Sequence, residues 1–332
     1  MPESQGKAVG VNADMRRFLR KAGAFVAGGL AVLTVALLWL PNPAVKRTML
    51  GSLEDRHAAL AGAGTNRLIF VGGSNLGMGL DSARIATAFH RPVANTGISA
   101  GLGLRFMLRD AEHLARPGDI VVVAPEYEHF VSHLWLGDME LLAVVLDVCP
   151  ETKSYLSFAQ WARLTEYMPV YATAKIRNAA LEAAGFPARA GDGCGRRDYN
   201  EYGDIRTPAL ISPGIIRRPK RTGREQVNPA VLAEIVQFKN ALAARGVRVV
   251  FLPPVLQESA FDAQQEIIAD IQTCLAAAGV PFLVPPARYR FDNRLSADTS
   301  YHLIRAGIHL RTTRVIEDLQ TAIPDIAGNE QP

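Results

Sequence analysis

Three runs in this chain are apolar at nearly every position instead of every second one: Leu68-Ile69-Phe70-Val71, Ile120-Val121-Val122-Val123-Ala124 and Val249-Val250-Phe251-Leu252. A strand buried on one face alternates, whereas a strand without alternation is covered on both faces, the condition of a parallel sheet between layers of helix. Together with weaker runs, the spacing predicts strands over 67–73, 92–96, 119–124, 247–253 and 281–285. Helix-period stripes separate them: Leu104, Met107, Leu108, Ala111 and Leu114 in one, with residues 229–244 and 261–278 forming two more. Residues 45–64 read as a connecting helix. The expected fold class is α/β, a doubly wound parallel sheet of about five strands.

The first run ends in Gly72-Gly73-Ser74-Asn75. That places a serine at the carboxyl end of a strand, the edge where open α/β sheets bind ligands, and makes it a candidate nucleophile. By itself the motif reads equally well as a Gly-Ser turn. A second segment, Asp298-Thr299-Ser300-Tyr301-His302, carries an acid and a base on one short loop before a helical stripe of Ile308, Thr312, Val315, Ile316 and Leu319. A serine needs a base to take its proton, and the base needs a carboxylate to fix its tautomer, so Ser74, His302 and Asp298 form a working set.

These segments, in this order over residues 67–320, resemble the SGNH (GDSL-like) hydrolases, whose fold is flavodoxin-like. The resemblance matches Gly72-Gly73-Ser74-Asn75 to the nucleophile block and Asn95-Thr96-Gly97 to the block that lends a glycine N–H to the oxyanion hole. It matches Asp298–Gly307 to the final block. It implies an oxyanion hole built from the N–H groups of Ser74 and Gly97. The family's third block carries an Asn after the next strand; here the strand runs into Pro125-Glu126-Tyr127-Glu128 with no Asn, so Asn75, Tyr127 or a backbone N–H is expected to substitute. Loss of one oxyanion donor costs about a hundred- to a thousandfold in rate. The family's acid stands three residues before its His, a place held here by Thr299, which leaves Asp298, four before, ahead of Asp292. Glu126 and Tyr127, at a strand end, are candidate substrate contacts.

Residues Ala22 to Leu40 are 19 consecutive uncharged residues ending at Pro41-Asn42-Pro43. About 20 residues at 1.5 Å each span a bilayer core of roughly 30 Å. Trp39 suits the interface, and Lys7, Arg16, Arg17, Arg20 and Lys21 on the amino side favour a cytoplasmic N-terminus. The run is longer than a cleaved signal's core and lacks a good small-x-small site, so it reads as a single-pass signal anchor. The resulting division is a basic tail (1–21), the anchor (22–40), a connecting segment (41–64), an α/β domain (65–325) with an insertion at about 127–227, and a C-terminal tail (326–332). The formal charge is +4, of which the first 21 residues carry +3, so the remainder offers no basic surface for nucleic acid.

Of the three cysteines, Cys149 and Cys194 are placed to form a disulfide in an oxidising compartment, and Cys274 lies on a helix pattern and is expected to be buried. No Cys-x-x-Cys occurs and His129/His133 lacks further ligands, so neither metal nor cofactor is expected. The insertion reads as a substrate lid or partner surface. Within it Arg217 to Arg224 holds five basic residues in eight positions, which fits an anionic lipid or glycan contact or simply a solvated loop.

The resemblance implies a serine esterase or O-acyltransferase, held at the bacterial inner membrane with its domain in the periplasm. It would act on acyl groups, acetyl foremost, of envelope or exported polysaccharide, alongside a multispanning membrane acyltransferase. A lipid ester suits the same machinery. The alternative is a catalytically weak binding or assembly subunit of the same fold.

Overall fold

The computed structural model describes residues 5–186, 194–206 and 226–326, with side chains from residue 13. Strands β1 (Leu68–Gly72), β2 (Val93–Asn95), β3 (Ile120–Ala124) and β4 (Arg248–Phe251) form one parallel sheet in the order β2-β1-β3-β4. Leu68 sits opposite Val93 on one side and Ile120 on the other, and Ile120 sits opposite Arg248. Strand alternation sends Ile69, Val71, Val121 and Val123 into one apolar cluster and Leu68, Phe70, Ile120 and Val122 into the other. Both faces are therefore covered, which is why these strands show no polar alternation. The chain leaves β1 for a neighbour on one side and then crosses to the other, which opens a crevice at the carboxyl end of β1.

The sheet has four strands, not about five. Residues 281–285 pair at one position only, a parallel bridge from Phe282 to Phe251, with Leu283 N–H donating to the Phe251 carbonyl at 2.7 Å. Pro281 and Pro285 bracket this stretch and have no N–H to continue a ladder. Leu256–Gln257 and Arg290–Phe291 form a separate two-stranded parallel pair.

The helices Leu104–Leu114, Pro229–Ala243 and Arg305–Ala322 lie where the stripes put them, whereas the stretch 261–278 is divided at Gln264 between the end of Glu258–Ala263 and the helix Gln265–Ala277. The 45–64 connection is broken into Pro43–Arg47, a 3-10 turn at Met49–Gly51, and Ser52–Gly62. Helix α1 (Gln5–Trp39) runs without interruption through the expected tail and anchor; its Ala13–Trp39 part is long and apolar enough to cross a membrane and is almost wholly exposed.

The described part of the insertion is more core than lid. Leu141, Leu142, Val144, Val145, Val148, Leu164 and Tyr171 are buried in the same cluster as Ile69 and Val121. The Arg217–Arg224 run lies outside the described residues. Cys149 and Cys194 are free thiols, Cys149 buried; Cys274 is half-buried instead of fully buried.

Candidate active site

Gly73 stays extended at the end of β1 and caps a single helical turn, Ser74–Gly77, in which Leu76 N–H returns to the Gly73 carbonyl at 3.1 Å. Ser74 is the first residue of that turn. The loop after β2 packs so tightly here that a Cβ on Gly97 would lie 2.5 Å from the Gly73 carbonyl oxygen and 2.6 Å from Leu76 Cβ. Only glycine permits that approach.

The Asp298/His302 loop is closed at its base by a bridge between Ser296 and Leu303 and by Ala297 N–H to the His302 carbonyl at 2.9 Å. Leu303 N–H reaches the Met78 carbonyl at 3.4 Å and ties this loop to the end of the Ser74 turn. His302 Nε2 stands 2.8 Å from Ser74 Oγ, and His302 Nδ1 stands 2.8 Å from Asp298 Oδ1. Since a carboxylate only accepts, Nδ1 carries the ring proton and Nε2 is left free to accept from the serine hydroxyl. His302 is buried, while the Asp298 side chain is 64% exposed. The hydrogen bond from His302 lowers the Asp298 carboxyl below the usual carboxylate value of 3.8, against the opposing effect of its partial burial. The carboxylate thus remains ionised wherever the relay can operate.

The other side of Ser74 departs from expectation. Asn75 is fully buried: its Nδ2 donates to the Ala124 carbonyl at 3.0 Å and its Oδ1 accepts from Arg311 Nη2 at 2.8 Å, so both ends of its amide hold the turn. Gly97 N–H already donates to Asn95 Oδ1 at 3.0 Å. Asn95 is held in turn by Nδ2 bonds to the Leu76 carbonyl and to Asp204 at 2.9 and 2.8 Å. Glu126 is buried, and its Oε1 accepts the Asn75 N–H at 3.2 Å; a Cβ on Gly73 would collide with this carboxylate. Its Oε2 has no hydrogen-bond partner and faces His129 Nδ1 at 3.5 Å, while His129 Nε2 donates to the Ala100 carbonyl at 3.0 Å.

Tyr127 is no surface contact. It is 1% exposed, its N–H donates to the Tyr301 hydroxyl oxygen at 3.2 Å, and its own buried hydroxyl is unpartnered. Burial drives that hydroxyl far above the ordinary tyrosine range. Tyr301 OH donates to Glu128 at 2.5 Å, and burial raises Glu128 above the usual glutamate value.

Arg311 and the Asn95/Asp204 pair were missing from the sequence-based candidates. Arg311 is buried, its guanidinium holds both the carbonyl and the side chain of Asn75, and burial pulls it down to about 10. Its signal was available: it stands on the same helix stripe as Thr312 and Val315, where an apolar residue is expected. Asp204, which also accepts from the Ser82 N–H and hydroxyl at 2.6 and 2.7 Å, had none.

Among the described residues one group has metal-ligand chemistry in reach. His57, Cys149 and Glu151 offer ligand atoms within 4.8 Å of one another, with His57 Nε2 also 3.0 Å from Asp110. Burial raises the Cys149 thiol to about 12, so its resting form there is the neutral thiol. Neither this group nor a cavity of about 300 Å³ lined by Arg56, Arg196 and Tyr199 includes Ser74, Asp298 or His302.

No family model matches the chain, and no curated protein matches it. What the arrangement can do is carried by its own geometry. A hydroxyl, an imidazole and a carboxylate stand in hydrogen-bonded series at the open end of β1, the constellation that turns a serine into a nucleophile.

Proposed function

We propose that this chain is an SGNH-type serine esterase or O-acyltransferase, anchored in the bacterial inner membrane by α1 with the α/β domain on the extracytoplasmic side. The observation that carries the reading is the Ser74–His302–Asp298 series, 2.8 Å at each link, assembled from segments 228 residues apart. His302 Nε2 takes the Ser74 proton as Oγ attacks an ester carbonyl, and Asp298 steadies the imidazolium that forms. Collapse of the tetrahedral adduct passes that proton to the departing alcohol and leaves an acyl-serine. Water or an acceptor hydroxyl, deprotonated by the same imidazole, then takes the acyl group and restores the serine.

The acyl group, acetyl foremost, would come from envelope or exported polysaccharide, and a multispanning membrane acyltransferase is the partner that suits such a chain. The anchor supports the location, since it would keep the domain beside membrane-borne substrates. A lipid ester is the other substrate the location favours.

The second reading, a binding or assembly subunit with little turnover, draws on Glu126. Its carboxyl group takes the Asn75 N–H beside the nucleophile, and a negative charge at that place would oppose the one that an acyl-transfer transition state develops. Cells in which Ser74→Ala replaces the native chain separate the two readings. Loss or accumulation of ester-linked acyl groups on envelope polysaccharide, with normal protein level, supports the enzyme; unchanged acylation in Ser74→Ala together with a defect on deletion supports the subunit.

A further inference from the structure

The Met168–Ala183 helix packs along the last turns of α1. Lys175 Nζ donates to the Leu37 carbonyl at 3.0 Å, Asn178 Nδ2 to Asn42 Oδ1 at 3.1 Å, and Arg47 pairs with Glu182. From Lys175 onward the partners advance in the same direction along both segments, while the long Tyr171 side chain, one turn earlier, brings its hydroxyl up to Asn42 Nδ2 at 3.4 Å. Residues before Lys175 therefore lie beside α1 on the near side of Leu37, within the apolar stretch. At 1.5 Å per residue, the seven positions back to Met168 reach about 10 Å along the anchor.

The junction is built to stay closed. Leu37 is in the last turn of α1, whose carbonyls have no helical partner, and a cation there also opposes the helix dipole. Lys175 is buried and paired with Asp147 at 3.0 Å, and Asp147 also accepts from the Tyr171 hydroxyl at 2.7 Å and the Asn42 N–H at 3.1 Å. Ala36 of the anchor and Ala172 of the neighbouring helix are both buried.

The opposite face of the Met168–Ala183 helix is bare. Val170 is 60% exposed, Ile176 37% and Leu181 39%, and Phe186, just beyond, is 69% exposed. Pro169, Thr173 and Ala180 fill the same exposed stripe, whose charged residue is Arg177. An apolar stripe of this length on a protein surface marks a contact. Here it continues the exposed apolar surface of α1, where Val32, Val35 and Leu38 are all more than half exposed. Two helices clamped side by side at one depth share one solvent, and the solvent of the anchor is lipid.

We propose that the first two turns of the Met168–Ala183 helix lie in the acyl–headgroup boundary beside α1, with Val170 in contact with lipid chains, so that two helices and not one hold the domain to the bilayer. Arg177, one turn above Thr173, is exposed and long enough for its stem to follow the apolar surface and its charge to reach the headgroups. The inference rests on reading α1 as a membrane anchor.

The test uses the full chain in phosphatidylcholine vesicles, carrying Cys194→Ser and Cys274→Ser so that the remaining native thiol, Cys149, is the buried one. Bimane is attached at Val170→Cys, at Val32→Cys on the anchor, or at the exposed Gln272→Cys as a water-facing reference. The probe at 170 is expected to be quenched by 5-doxyl phosphatidylcholine at least half as strongly as the probe at 32, and several-fold less by aqueous iodide than the probe at 272. If the probe at 32 is quenched by lipid while the probe at 170 follows the one at 272, the second contact is wrong and the anchor stands. Shielding of position 170 from both quenchers means that protein covers the face, which also overturns the proposal. Lack of lipid quenching at 32 removes the anchor, and the proposal with it.

Discussion

The two sides of Ser74 differ in kind. On one side stand His302 and Asp298, polar groups directed at the serine hydroxyl and linked at 2.8 Å each. On the other, most of the groups near the nucleophile are already engaged: Asn75 by Ala124 and Arg311, Gly97 N–H by Asn95, and Asn75 N–H by the Glu126 carboxylate, which leaves the Ser74 N–H, first of its turn, as the expected oxyanion donor outside these bonds. The first side is arranged as the proposed nucleophile requires. The second stabilises the turn that carries it, and it places a carboxylate oxygen on a backbone N–H beside the nucleophile. Activating the serine and receiving the oxyanion are thus separable functions in this fold, and in this resting state the activating half is the complete one.

His302→Ala tests the activating side with the largest expected effect. Fluorophosphonate labelling of purified protein should fall by a factor on the order of a thousand or more, because the serine loses its base. Labelling within tenfold of wild type would mean that another group activates Ser74.

Asp298→Asn should cost less. A buried triad carboxylate is worth about ten-thousandfold, but Asp298 is 64% exposed and water screens much of its effect, so the loss expected is on the order of a hundredfold. The sign of its pH dependence follows from its lowered pKa. The ionised carboxylate contributes stability that is complete above the unfolded value and is lost only as pH falls through the lower folded one. Asp298→Asn should therefore lower the thermal midpoint at neutral pH, and by progressively less as the pH falls below the ordinary carboxylate value, a comparison made by thermal melts at a series of pH values.

Glu126→Gln tests the other side in the opposite direction. The amide oxygen can still accept the Asn75 N–H, but the charge is gone, so labelling should rise, by about tenfold if the carboxylate opposes the transition state by roughly 1.4 kcal/mol. A fall instead would make Glu126 an active participant and erase the contrast between the two sides.

Tyr127→Phe should do the least. Its hydroxyl is buried and unpartnered, so removing it is expected to leave labelling within twofold and the melting temperature unchanged or slightly higher. A substantial activity loss would return Tyr127 to the substrate contacts that its position in the sequence suggested.

The same contrast governs what the sequence could reveal. Ser74 and the Asp298/His302 loop are legible because each follows local rules: an apolar run stopped by Gly-Gly-Ser, and an acid and base just ahead of a helix stripe. The Glu126 contact is not legible, since it depends on how far the chain after β3 folds back over Gly73, a matter of tertiary packing across 51 positions. Asn95, at the end of β2, meets Asp204 across 109 positions, and the loop that carries Asp204 has no periodicity. The parallel strands were readable from their missing alternation, and the failed fifth strand was readable in part, because its bracketing prolines forbid a full ladder. The clamp between Lys175 and Leu37 could not be foreseen, because a lysine on a helix is by default a solvated one.

The central claim is that Ser74 is a nucleophile activated by His302. Peptide mass spectrometry of the full-length protein after reaction with a fluorophosphonate addresses it directly. The account predicts a single covalent adduct on Ser74 that disappears in Ser74→Ala and is strongly reduced in His302→Ala. An unmodified Ser74 in folded wild-type protein, or an adduct that persists undiminished in His302→Ala, would contradict it.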